Sequence, residues 1–147
     1  MIAVCCDHGG LSLKQEVLRH LEEKGLEYKD FGTNSPESCD YPDIVKPLCQ
    51  AIQRGECDKG VIICGTGIGI SMAANKMKGI RAALCHDSFS AEFTRRHNDS
   101  NIIAFGARVI GPGLALQLLD IFLNTPFEGG RHAVRVEKMM ALEQLDE

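Results

Sequence analysis

Short apolar runs rich in β-branched residues alternate with longer amphipathic stretches from one end of the sequence to the other. That alternation restricts the fold more than any single motif. Ile2–Cys6 is an apolar run stopped by Asp7-His8-Gly9-Gly10. A helical pattern follows from 11 to 24, with Leu11, Val17, Leu18 and Leu21 on one face and Gly25 at its end. Residues 27–30 read as a weak second strand, and 41–54 as a helix entered through Pro42 and closed by Gly55. Residues 61–64 carry apolar side chains on both faces, as a buried parallel strand requires. The rhythm continues with a helix at 69–76, a strand at 81–85, a helix at 88–96, a strand at 101–105, and helices at 114–123 and 133–145. Strands that alternate with helices imply βαβ crossovers and a parallel sheet covered on both faces. The expected architecture is a Rossmann-like three-layer α/β/α sandwich around a five-stranded parallel sheet, one domain spanning 1–147. In such sheets ligands bind beyond the carboxyl ends of the strands, where the winding direction reverses.

Composition narrows the function classes. With 20 acidic against 16 basic residues and a net charge of −4, the chain lacks the basic footprint of a nucleic-acid binder. No apolar run approaches the roughly 18–20 residues that span a bilayer, and the first residues lack a basic leader, so no membrane partner and a cytoplasmic location are expected. The cysteines number seven, and no two are spaced C-x-x-C. Neither a zinc ribbon nor a thioredoxin-type pair is visible, and the cysteines read as small buried residues of a reducing compartment.

The segments after the strands carry the chemistry. Cys64-Gly65-Thr66-Gly67-Ile68-Gly69-Ile70-Ser71 places three alternate glycines at a helix start, which exposes backbone N–H groups to an anion or a developing oxyanion. The pattern is not the dinucleotide G-x-G-x-x-G, because position 70 is Ile, and Ile70 also stands where a thiol phosphatase needs arginine. Cys64 faces a helix N-terminus whose partial positive charge favours thiolate, so it is either a nucleophile or base, or simply the last buried residue of its strand. Asp7 and His8 close the first strand. Ser12 with Gln15 forms a capping-box pattern for the next helix, which would leave Asp7 free for substrate. Thr94 to Asn98 has the composition of a helix C-terminus, with Asn98 in the left-handed position. Arg131 and Arg135 are four apart and share a helical face; with Arg108 they offer guanidiniums suited to phosphate, although a solvated basic face has the same pattern. Gly129-Gly130 ahead of Arg131 suggests close approach to a ligand or to another chain.

Taken in order, Cys6-Asp7-His8, Asp40-Tyr41-Pro42, the segment from Ile63 to Ser71, Ala74-Asn75-Lys76, Gly79-Ile80-Arg81-Ala82, His97-Asn98-Asp99 and Gly129-Gly130-Arg131-His132 resemble the ribose-5-phosphate isomerase B family. These sugar-phosphate isomerases include galactose-6-phosphate isomerase subunits. The resemblance implies a cofactor-free and metal-free interconversion of ribose 5-phosphate and ribulose 5-phosphate through an enediolate. It implies Cys64 as the base between C1 and C2, and His97 as the acid for ring opening with Asp7 as its helper. Thr66 becomes a polar neighbour of the reacting oxygens, and the amides of Gly65, Thr66, Gly67, Ile68 and Gly69 an oxyanion site. Asp7, His8, Tyr41, Ser71, Asn98, Arg108, Arg131 and Arg135 become substrate contacts, the arginines chiefly for phosphate. It further implies a homodimer, or a dimer of dimers, with the site built across the subunit interface and the last helix packed on the partner. The His-Asn-Asp and Gly-Gly-Arg-His segments favour the pentose over a hexose 6-phosphate. A hexose-phosphate isomerase and a nucleotide-binding regulatory domain remain as alternatives.

Overall fold

The computed structural model describes residues 1–145. The strands are β1 (Ile2–Cys6), β2 (Tyr28–Asp30), β3 (Lys59–Cys64), β4 (Ala82–Leu84) and β5 (Ile102–Gly106). They form one all-parallel sheet in the order β2-β1-β3-β5-β4. Six helices are described: α1 (Leu11–Glu23), α2 (Tyr41–Gln53), α3 (Ile68–Ala74), α4 (Ser88–Asn98), α5 (Pro112–Asn124) and α6 (Arg131–Ala141). The three-layer Rossmann-like sandwich expected from the alternation is the fold observed.

Period-2 alternation divides the central strands between two cores. Val4, Cys6, Val61, Ile63, Ile103 and Phe105 pack with α1 and α5 residues such as Val17, Leu21, Leu118 and Phe122. Ala3, Cys5, Ile62, Cys64, Ile102 and Ala104 pack on the other face with Val45, Leu48, Ile70 and Ala74 of α2 and α3. Cys64 therefore turns toward the α2/α3 layer.

Several boundaries shift for identifiable reasons. β3 starts at Lys59 rather than at 61, because Lys59 and Gly60 pair with Ile2 and Ala3. β4 is trimmed to Ala82–Leu84 at the sheet edge, where β5 is its single neighbour. α6 begins at Arg131, two residues before the apolar periodicity starts, and gives way after Ala141 to a 3₁₀ turn at Leu142–Gln144. Gly129 (φ 72°) and Gly130 (φ 58°) lead into that helix. Positive φ favours glycine at both positions, and a side chain on either would meet open space within the chain. Asn98 is helical, and it is Asp99 that turns left-handed, at φ 47°. Its short carboxylate tolerates that conformation and holds Arg95 at 2.8 Å.

The start of α1 also differs from the expectation. A 3₁₀ turn, His8–Gly10, precedes the helix, and the Asp7 carboxylate caps that turn by accepting from Gly9 N–H at 2.9 Å. Ser12 caps nothing, since α1 begins directly behind the turn with no side-chain cap. The loop after β2 is fixed by a fully buried lysine. Lys14 Nζ donates to Asp30, to the Thr33 carbonyl (2.7 Å) and to Asn34 Oδ1 (2.8 Å).

Candidate active site

The sheet order decides where a ligand can bind. From β1 the chain winds to β2 on one side and to β3 on the other, so the carboxyl ends of β1 and β3 flank the reversal point. Asp7 and His8 extend from β1 at this point, and Cys64 and the glycine loop extend from β3. Asp7 N–H bonds to the Ile63 carbonyl at 3.0 Å, and a side chain added to Gly9 would start 3.4 Å from Gly65 N. The two loops are in contact. The Arg108 guanidinium lies over Gly65, and the Tyr41 ring lies so close to Gly69 that a methyl group there would sit 2.7 Å from Tyr41 Cζ. Asp7, His8, Cys39 and the Asp40–Asp43 turn line a cavity of about 600 Å³ at this edge. His8 Nδ1 accepts from Cys39 N–H at 3.2 Å, which leaves Nε2 as the protonated nitrogen.

Cys64 is 5% exposed and does not itself line that cavity. It differs from the other buried cysteines in what reaches its sulfur: Gly67 N–H donates to Sγ at 3.1 Å. Gly67 sits at φ 77° against the Phe105 carbonyl, where no side chain fits. Burial pushes the Cys6 thiol up to about 12 and those of Cys49 and Cys85 up to about 11, and it raises that of Cys5 as well. Those thiols stay protonated at neutral pH.

The anion cradle is narrower than the glycine spacing implies. Gly67 N–H is engaged with Cys64, and Ile68 N–H donates to Thr66 Oγ1 at 3.1 Å. Among the described residues the amides of Gly65, Thr66 and Gly69 donate to no protein group, which leaves them free for a ligand. The Ser71 proton goes to the Ile68 carbonyl at 2.8 Å, and Ser71 is buried, so its hydroxyl serves the helix rather than the cavity. The Ile68 side chain is 51% exposed and points away from the core.

The remaining predicted residues lie at the opposite end of the sheet. α4 returns antiparallel to the strands, so His97 and Asn98 finish at the amino edge. There Gly60 N–H at the start of β3 bonds to the Asn101 carbonyl, and Arg81 Nε bonds to the Asp99 carbonyl. Arg131 and Arg135 on α6 join them, packed against α4. At about 3.3 Å per residue, β3 alone puts about 13 Å between Gly60 and Cys64. Within one chain His97, Asn98, Arg131 and Arg135 do not meet Cys64, Asp7, His8 or Arg108. Among the described residues Arg108, Arg131 and Arg135 form no ion pair.

The structure adds two residues to the His97 end that sequence reasoning passed over. His132 stacks on His97 with ring centroids 3.9 Å apart and planes 9° from parallel, and Glu128 Oε1 lies 3.7 Å from His97 Nε2. The Gly-Gly-Arg-His segment contained His132 but gave no hint of its neighbour, because the pairing crosses 35 positions of sequence and the packing of two helices. Donor atoms of the three residues lie within 4.8 Å of one another. An imidazole binds a metal ion in its own plane, and two nearly parallel stacked planes offer no common point. The trio is a ring stack with a carboxylate rather than a ligand set.

Comparison with known proteins assigns the family. The ribose/galactose isomerase family model matches residues 2–139. The chain is 50% identical over 143 residues to a ribose-5-phosphate isomerase B of Escherichia coli, covering 97% of this chain and 96% of that one. Its fold superposes on a Clostridium thermocellum ribose-5-phosphate isomerase B with a TM-score of 0.96 at 51% identity, covering 97% of both chains. A Mycoplasma genitalium ribose-5-phosphate isomerase B solved with bound ribulose 5-phosphate matches at TM-score 0.93 and 35% identity, covering 99% of this chain and 97% of that one. The chain belongs to the ribose/galactose isomerase family.

Proposed function

We propose that this protein is an aldose–ketose isomerase that interconverts ribose 5-phosphate and ribulose 5-phosphate, working as a homodimer whose two sites each draw on both subunits. The observation that carries this reading is the Cys64 sulfur at the sheet's reversal point, held by Gly67 N–H and flanked by Asp7, His8 and three free loop amides.

In this mechanism His97 gives a proton to the ring oxygen as the furanose opens and the anomeric hydroxyl gives up its own proton to water. Cys64 as thiolate then takes the C2 proton of the open aldose, the charge moves to the C1 oxygen, and the free loop amides stabilise the enediolate. The thiol returns its proton to C1 while the C2 hydroxyl proton passes to the C1 oxygen, which yields the ketose. Proton transfer by a positioned base contributes about 10²–10⁴-fold, and one oriented oxyanion donor about 10²–10³-fold more. Thr66, whose oxygen is already an acceptor, can turn its own O–H toward the reacting oxygens. Unpaired arginines grip the phosphate and set the reacting carbons in register. Asp7 can assist His97 only across an interface, because one chain holds them at opposite ends.

Exposed apolar side chains support the dimer. Ile68 and Met72 beside the glycine loop, and Phe89 on α4, are each more than half exposed. α6 buries only His132 and leaves Val134 and Met139 bare, as expected of a helix that packs on a partner.

The test is turnover of ribose 5-phosphate by the purified protein, followed as ketose formation. Cys64→Ala should fold normally and lose about 10²–10⁴-fold or more in kcat. Turnover close to wild type in the folded variant rejects Cys64 as the base. Galactose 6-phosphate and allose 6-phosphate run in parallel decide between pentose and hexose.

A further inference from the structure

His97 is held on three sides. Phe93, one helical turn earlier, meets it edge-on with centroids 4.9 Å apart, and His132 covers one face. Glu128 stands at Nε2, its own backbone N–H bonded to the Arg96 carbonyl at 3.0 Å at the end of α4. That bond ties the carboxylate to the helix bearing His97, so the two move together.

We infer that Glu128 and His132 are positioning residues for His97: the Glu128 carboxylate stands beside Nε2, His132 provides a stacking face, and Nδ1 is left as the nitrogen that hands its proton to the sugar. This assignment rests on the acid role proposed for His97. A carboxylate on one ring nitrogen fixes orientation and stabilises the charge that the acid must carry, while leaving the other nitrogen free for transfer. At 3.7 Å the carboxylate is beyond ordinary hydrogen-bond length but within ion-pair reach of the ring.

The surroundings of His132 disfavour its charged form. His132 is the second residue of α6, where the helix dipole opposes positive charge, and Arg131 and Arg135 lie on the same helix. Its pKa is lowered by loss of solvent first, then by His97 and by these arginines, with Glu128 opposing. The facing groups are thus Glu128 from the connecting segment, His132, Arg131 and Arg135 from α6, and Arg96 on α4, itself 3.6 Å from Glu92. Among them Glu128 stands at His97 Nε2.

The experiment pairs kcat and KM for ribose 5-phosphate with the His97 ring resonances by proton NMR in the intact protein. Glu128 is 39% exposed at its side chain and lies in a loop, so Glu128→Gln should fold. It should reduce kcat about tenfold with little change in KM and move the His97 resonances, and Glu128→Asp should restore part of both. His132→Ala should likewise reduce kcat about tenfold or more with little change in KM, because an unstacked ring is mispositioned, and His132→Phe should recover most of that loss. His97 resonances that Glu128→Gln leaves unmoved overturn the positioning assignment. Resonances that move while kcat stays fixed leave Glu128 acting on His97 and remove the acid role instead.

Discussion

Mixing two crippled proteins should restore activity that neither possesses. Cys64 stands at the carboxyl edge of the sheet and His97 at the amino edge, with about 13 Å of β3 between those edges in one chain. A shared site therefore takes Cys64 from one subunit and His97 from the other. In a heterodimer of Cys64→Ala and His97→Ala chains, one site combines both lesions and the other combines neither. Equal mixing with free subunit exchange makes half the dimers hybrid, each with one of two sites intact, so about one quarter of wild-type turnover returns. Each parent should retain no more than about one hundredth of wild-type turnover, given about 10²–10⁴-fold for a positioned acid or base. The mixture should then exceed the parents by about 25-fold or more. The assay is ribose 5-phosphate turnover after exchange in mild denaturant and dilution, with native mass spectrometry of the same mixture, which resolves hybrid from parental dimers, as the exchange control. Activity equal to the mean of the two parents, in a mixture whose control shows exchange, refutes the shared site.

Other perturbations test the supports. An alanine at Gly106 would put its methyl 2.5 Å from the Thr66 carbonyl oxygen, forcing the glycine loop to shift. Gly106→Ala should cost about 1–3 kcal/mol in denaturant unfolding and about 100-fold in kcat, and an unchanged kcat would mean the loop position is not critical. Lys14→Met strands the Asp30 carboxylate and the Thr33 carbonyl. With Asp30 still 24% exposed at its side chain, the loss should be about 3 kcal/mol, a fall of roughly 6–12 °C in Tm by calorimetry. Iodoacetamide at neutral pH should label Cys64 and the partly exposed Cys39 well before Cys5, Cys6, Cys49 and Cys85, whose thiols burial keeps protonated. Ribose 5-phosphate should protect Cys64 from labelling, and equal rates at all cysteines by peptide mass mapping would contradict this order.

Much of the fold was legible because each element's signal is local. The β-branched run at Val61-Ile62-Ile63 and the Pro42 and Gly55 boundaries of α2 depend on near neighbours, and these elements formed where the pattern placed them. One misplaced boundary has a different cause: β3 reaches back to Lys59 because strand β1 pairs with it. The capping pattern of Ser12 lost instead to a local rival, the Asp7 carboxylate that caps the turn ahead of α1. The site divides the same way. Cys64 and its glycines were identifiable from their spacing, but which amides remain available depended on Sγ and Oγ1 geometry that spacing does not encode.

By itself the sequence determined the alternation of elements, the two-faced core and the choice of Cys64 as the candidate base, because periodicity and residue chemistry act over a few positions. Only the tertiary structure decided that the sulfur and the imidazole stand at opposite ends of a parallel sheet, and that His132 and Glu128 enclose that imidazole. Those relations arise from strand order and helix direction, which join residues far apart in the chain through packing rather than through any local pattern.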